Sequence, residues 1–394
     1  MDPKSRRAEN KGGFMQFSMS SKRNVIMLGL LLLGFICWLP GSAMAKVAGQ
    51  CADCHTMHNS QDGADVVGTG PFNALTKGDC VGCHTGTNTE GHNIPYVDDS
   101  TGTPNYGASD FGTDGDTLAG GSFYWLRTDL DSYGHNVVGI KATDGDIGQT
   151  PPGFDATFNA NGQVGSTWAS NQLTCAGTYG CHGNHTNADD FADISGAHHA
   201  DDSTIDGSTV GKSFRFLNGI LGLEDPEWEF TPTTALHNQY KGDGRSDDTA
   251  TDTSTISYLC AECHGIFHSG AGDSGKDGAD LGGADFGSPW LRHPTDFDLG
   301  DATGAEYADY PGDFGTAQGD YSVVAPVGSA DVSAVLSTVT TGSADGTAIV
   351  TCISCHRAHG TPYADLLRWD YAANCNVGDT DQDCGCFACH TTKD

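Results

Sequence analysis

Five times in this chain two cysteines stand three apart with a histidine directly after the second. The five are Cys51-Cys54-His55, Cys80-Cys83-His84, Cys260-Cys263-His264, Cys352-Cys355-His356 and Cys386-Cys389-His390. One such motif fits a zinc half-site or a redox dithiol. Five with identical spacing do not, because neither chemistry needs a histidine after every second cysteine. In an exported protein the pattern is that of c-type haem attachment: the thiols add to the two vinyl groups and the adjacent histidine reaches the iron from one face. A sixth site is irregular, with five residues between Cys175 and Cys181 and His182 following. Gly177 and Gly180 allow a longer loop to fold back so that both sulfurs reach the vinyls. The alternative is that Cys181 alone is bonded there.

The N-terminus predicts export. Lys22 and Arg23 precede an apolar run from Val25 to Leu39, and "GSAMA" follows, as in a secretory signal cleaved after Ala45. The run is short for a spanning helix, so residues 46–394 are expected to form one elongated domain with no membrane span; a retained N-terminal anchor is the alternative. Cys37 leaves with the signal. Of the fifteen cysteines, fourteen then remain, and six attachment sites use twelve. Cys375 and Cys384 are left over and are expected to form a disulfide in an oxidising compartment. A competing assignment gives Cys384 with Cys389 to the last site, but Cys386 has the regular spacing.

The sixth ligand of each iron decides between carrier and enzyme. After cleavage Met57 is the one remaining methionine, whereas ten of the sixteen histidines are not attachment histidines. The supply therefore predicts bis-histidine ligation throughout. The proximal ligands are His55, His84, His182, His264, His356 and His390. The expected distal ligands are His58, His92, His135, His268, His293 and His359, with His185 and His199 in reserve. One member of the His198–His199 pair is expected to serve, and His237 is open. A histidine three or four residues past a proximal ligand, as His58 is, cannot swing round to the same iron, so His58 is read as a ligand to a different haem. Asp379, Asp381 and Asp383 resemble part of a calcium loop with its glycine one residue late, which makes calcium a second candidate cofactor. No catalytic residues are expected.

Composition closes the fold argument. The chain has 394 residues and 55 glycines, with few patterned apolar runs and long Gly/Asp/Thr-rich stretches between sites. Such a chain is underpowered for an ordinary side-chain core. The expected fold is a multihaem cytochrome c, mostly coil with short helices and few short strands, wrapped around a chain of stacked haems. A helix is expected within Thr361–Ala373, and strands near Tyr321–Val327 and Ile349–Cys352. Six of the 19 basic and two of the 51 acidic side chains fall in residues 1–45, leaving 13 and 49 and a net charge of −36. That excludes nucleic acid and anionic lipid as partners and suits cations, basic proteins or positively charged mineral.

The segments "CADCHTMHNS" at 51–60, "GHNVVGI" around His135, "CAECHGIFH" at 260–268, "LRHP" at 291–294, "CISCHRAHG" at 352–360 and "CFACHTTKD" at 386–394 resemble, in order and spacing, the hexahaem filament-forming outer-surface cytochromes of metal-reducing bacteria, the OmcS type. The resemblance implies six haem c stacked along a homopolymer. It implies that His58 ligates the haem on Cys352 and Cys355, opposite His356, in the neighbouring subunit. Secretion to the outer surface, redox partner cytochromes and an extracellular metal oxide or other terminal acceptor follow from it. The spacing of the third site, the "GAHHADD" segment and the Cys375–Cys384 insertion depart from that pattern. The competing functions are a monomeric periplasmic or surface shuttle and a multihaem oxidoreductase with one open iron.

Overall fold

In a computed structural model the described residues are 46–392, except 48, 62–63, 66–74, 100–101, 108, 110, 128–130, 156–167, 169, 202, 246–251, 269–292, 302–306 and 379–382. They fall in the second of two units, 1–43 and 44–394; the segment read as a signal, 1–45, lies outside them. Among the described residues no helix is long and apolar enough to cross a membrane.

Regular structure is sparse and tied to the motifs. Helix α1 is Cys51–Cys54, α2 Cys80–Cys83, α3 Tyr124–Arg127, α4 Asp190–Asp193, α5 Ile256–His268 and α6 Tyr371–Asn374. Among the described residues only α5, with 13 residues, exceeds a single turn. Single turns do not stand alone in water, so each depends on capping and on what it packs against. The Asp79 carboxylate accepts the Gly82 amide at 2.6 Å to start α2, and Gln50 and Asp53 form a reciprocal capping pair on α1. One helical turn sets residues three apart on one face, which is what two thiols meeting one macrocycle require. Tight 3-10 turns at Cys352–Ser354 and Gly385–Ala388 do the same for the fifth and sixth sites.

The third site is built differently. Strands β1 (Ser60–Gln61) and β2 (Ala64–Asp65) form one ribbon. The next, β3 (Thr174–Ala176) and β4 (Gly180–His182), carries Cys175 and Cys181 side by side. β3 and β4 are parallel, with Thr174 opposite Gly180 and Ala176 opposite His182. The chain reverses at Gly177, φ +91°. At Gly180 an added Cβ would meet the Ala176 carbonyl carbon at 2.5 Å, so no side chain fits.

Apolar side chains gather in three small clusters, not one core. The largest holds Tyr310, Tyr321, Val327, Trp369 and Phe387. A second holds Phe214, Ile220, Tyr240 and Ile256, and the third Phe123, Leu126 and Val137. Attachment cysteines lie against each: Cys355, Cys386 and Cys389 on the first, Cys181 on the second, Cys175 on the third. Cys375 and Cys384 are joined by a disulfide, with Cα atoms 5.0 Å apart.

Two local expectations fail. Tyr321–Val327 is not a strand, and the helix expected over Thr361–Ala373 shrinks to α6. Asp365 and Leu366 take left-handed backbone, φ 60° and 58°, which breaks the helix. The reason lies in the site.

Candidate haem-binding cavity

Eleven of the twelve attachment cysteines line one continuous cavity of about 2320 Å³. That is more than twice the volume of an ordinary small-molecule pocket, roughly 300–1,000 Å³. Consecutive sites are neighbours along it. Burial, and then the charge of Cys54, push the Cys83 thiol up. The Cys80 and Cys175 sulfurs lie with an Asp190 oxygen within 4.8 Å of one another. Burial raises Cys263 with Cys181 the next contributor. The Cys260 thiol is raised by a hydrogen bond with Cys352, then by burial. Burial followed by Cys386 pushes Cys355 up to about 12. Read in order, these contacts join site one to two, two to three, and so on to six.

The histidines are oriented as metal ligands. A ligating imidazole binds through one nitrogen and donates its other N–H to a carbonyl, which fixes tautomer and ring plane. Nδ1 of His84 reaches Pro95 O at 2.8 Å, His182 Arg215 O at 2.9 Å, His264 Pro152 O at 2.6 Å, and His356 Asp365 O at 2.8 Å. On the other side, Nδ1 of His135 reaches Ala358 O at 2.6 Å, His293 Pro294 O at 3.0 Å and His92 Thr89 O at 2.6 Å. Arg215 and Asp365 present their carbonyls from left-handed backbone, φ 49° and 60°. The broken helix at 361–373 therefore has a cause: its peptide is turned to hold His356. Burial lowers His84, His135, His293 and His356, favouring the neutral form that offers a lone pair. It lowers His182 and His264 to about 4, and His359 to about 3.

Imidazoles on opposite faces of one metal ion, each bonded at about 2 Å, have ring centres roughly 6 Å apart. Four pairs have that spacing: His55 with His199 at 5.9 Å, His84 with His198 at 6.3 Å, His264 with His135 at 6.2 Å and His390 with His293 at 6.2 Å. Both members of "AHH" thus face attachment histidines, His199 that of the first site and His198 that of the second, where one of the pair was expected to serve. In the 3-10 turn Ala197–His199 consecutive side chains diverge by about 120°, so neighbours in sequence face different sites. The doubled histidine was the only signal in the sequence for His198. The segment is tied down by Lys46 and Val47, whose amides donate to Ala200 O at 2.9 Å and His198 O at 3.1 Å.

The remaining histidines divide. His359 is half-buried with its Nδ1 enclosed, and after burial the charge of His182 does most to lower it. His92 lines the cavity with its Nε2 buried and without a hydrogen-bond partner. His58 is exposed, at φ 60°, beside Met57, which is 69% exposed. Three others are engaged elsewhere. His185 lies 3.9 Å from Glu262 with its Nε2 on Cys181 O, and His268 Nε2 meets Asp296 Oδ2 at 3.0 Å. His237 is spent on Asn238 O and Leu336 O while stacked 3.5 Å from Tyr321. The expected distal role of His268 and the reserve role of His185 are thus set against these carboxylate and carbonyl contacts. Of the acidic run read as a calcium loop, 379–382 lie outside the described residues.

The donor set fits haem c: paired thiols on single turns, carbonyl-anchored neutral imidazoles, and opposed rings at metal-bridging distance. A family described as the doubled CXXCH motif matches residues 345–394. A search of the curated proteins finds no match. Among solved structures, the outer membrane cytochrome S filament from Geobacter sulfurreducens is 23% identical, with 86% of this chain and 88% of that chain covered and a TM-score of 0.40. The OmcS nanowires from Geobacter sulfurreducens, seen by cryo-electron microscopy, are 21% identical over the same shares, with a TM-score of 0.44. The chain binds c-type haem.

Proposed function

We propose that this chain is an extracellular electron carrier holding six haem c, and that electrons hop from site to site along it and on into a further copy. The observation that supports this reading is the succession of the sites along one cavity: the second adjoins the third and the fourth the fifth, and at the other junctions the thiols are close enough to feel each other's charge. Bound haem supplies a one-electron iron couple at each site. The thiols would anchor it, and at four sites opposed imidazoles would hold the iron from both sides, leaving no open place there for a substrate. That favours a carrier over an oxidoreductase.

In this reading the ligand pairs are His55/His199, His84/His198, His182/His359, His264/His135 and His390/His293. His356 meets no second imidazole ring among the described residues, while His58 stands exposed near the N-terminus. We assign His58 of a neighbouring copy to that place, which makes the carrier a homopolymer. Residues 1–45 then act as the export signal, and the strongly acidic surface faces cationic partners or mineral at the cell exterior.

Replacing His58 with Ala tests this. Haem attachment should be intact, because no thiol or proximal ligand is touched. One haem should become high-spin, and filaments seen by electron microscopy should give way to short species. Long filaments with all haems low-spin would remove His58 from the interface. A wild type that never polymerises would leave a monomeric shuttle.

A further inference from the structure

The mature chain has few cations, yet two of them are buried together at the fifth site. Arg357 and Arg368 are 2% and 1% exposed. Arg357 follows His356 directly, and its guanidinium uses all five N–H groups. Nη1 donates to Leu118 O at 3.0 Å and Ala119 O at 2.9 Å, Nη2 to Phe111 O and Gly112 O at 2.8 Å each, and Nε to the Tyr106 hydroxyl at 3.2 Å. These acceptors are all neutral. Arg368 Nε donates to Ile353 O at 2.8 Å and its amide to Cys355 O at 2.9 Å. Among the described residues neither guanidinium has a carboxylate within ion-pair distance. Glu229 is the acidic side chain whose charge reaches Arg368, and it is itself occupied by Asn238 and Tyr240. The charge of Arg368 also reaches Cys355 and His356.

Burying a cation without a counterion is costly. A neutral side chain could staple the same carbonyls only in part, but the charge adds nothing that stapling needs. It does act on a redox centre. Taking up one electron from the adjacent haem lowers the net charge of a site by one, and a fixed positive charge in a poorly screened interior stabilises that reduced form. Elsewhere in the cavity the charged side chains beside the sites include acids: buried Glu262 lies beside the third and fourth sites, and half-buried Asp190 beside the second and third. Among the described residues the fifth site alone has two buried guanidiniums on the segment that carries its thiols and histidine; the buried carboxylate whose charge reaches Cys352, Asp296, is engaged by Thr255 and His268.

We propose that Arg357 and Arg368 are potential-setting residues that make the haem on Cys352 and Cys355 the most readily reduced of the six, so that an electron rests longest at the site we assign to the subunit junction. This rests on the six-haem carrier reading and concerns which haem holds the electron, not whether the chain conducts.

The test is a spectroelectrochemical titration of the six-haem protein with Arg357→Gln, Arg357→Lys, Arg368→Gln and Arg368→Lys. The Gln variants should move one of the six one-electron steps, the highest, to lower potential. The Lys variants should keep that step near its wild-type position even though both substitutions at 357 lose carbonyl hydrogen bonds and lower the melting temperature. Because the charges are buried, the shift should be insensitive to added salt. If Arg357 variants do not fold, the Arg368 pair decides alone. Equal shifts in Gln and Lys variants, or none in either, would overturn the proposal, as would movement of a lower step only. Repeating the Arg368 pair on His58→Ala locates the effect, since the high-spin haem expected there should be the one that shifts; a Gln-specific shift confined to low-spin haems overturns the assignment to the fifth site. If His58→Ala shows no high-spin haem, the junction reading fails separately, and the wild-type titrations still decide whether the arginines act.

Discussion

Whether a histidine in this chain holds iron is decided by where its two nitrogens go. His198 and His199 face His84 and His55 across a metal-sized gap, while both nitrogens of His237 are bonded to backbone carbonyls. His198→Ala should therefore convert one haem to high-spin, visible by electron paramagnetic resonance, with the haem count unchanged. His237→Ala should leave every haem low-spin and instead cost roughly 1–3 kcal/mol of stability through the carbonyls left unpaired, read as a lower melting temperature. The attachment histidines stand out in the sequence because covalent attachment ties them to a local spacing. Which ring faces which of them does not: His135 and His293 were expected as distal ligands, but His199 lies far along the chain from His55, and no local pattern records which loop closes on which site.

At the scale of single elements, the third site shows what replaces a helical turn when the spacer grows by three residues. The parallel pair of β3 and β4 sets Cys175 beside Cys181 only because nothing projects from Gly180 into Ala176. Gly180→Ala should open that pair, and intact-protein mass should fall by one haem while the other five stay attached. Gly196→Ala is a control of a different kind: unlike Gly180 it sits at positive φ, 79°, and it has open space around it. It should cost stability without changing the mass. The glycines and the long spacer were legible in the sequence; a strand pair was not, because three-residue strands have no periodicity to read. The expected helix over 361–373 went wrong for a related reason. Its apolar pattern is real, but the Asp365 carbonyl is turned toward His356, and an orientation made for a ring in another segment leaves no trace in local propensity.

For the whole molecule the sparse side-chain core is the governing fact. Three small clusters around a cavity of about 2320 Å³ cannot substitute for a continuous interior. Protein made where haem is not attached should lack a cooperative thermal transition, whereas the loaded protein should show one. Intact mass of the loaded protein should correspond to six haems; five would mean that Cys175 and Cys181 hold none. Its reduced form should bind carbon monoxide weakly or not at all if imidazoles hold each iron from both sides, as proposed; stoichiometric binding at one iron would point to an enzyme. This much of the architecture was readable from composition, since a glycine-rich chain with six attachment sites has little else to fold around. The spatial order of the sites was not, because spacing along a coil says nothing about neighbours in space.

That order bears on how such a molecule can be made. Sites that adjoin in space in the same sequence as they emerge from a translocation pore can be loaded one after another, each new macrocycle laid against the last, as in a linear repeat array. The axial closures do not follow that order. In the proposed reading His135 precedes the fourth site and His293 the sixth, so those irons would meet a waiting ring, whereas the first and second sites would stay half-closed until residues 198 and 199 arrive. If the chain is exported as proposed, the N-terminal haems would then be the ones exposed to stray ligands. The amides of Lys46 and Val47, which tie the segment before the first site to that late segment, would be the last part of the front half to lock.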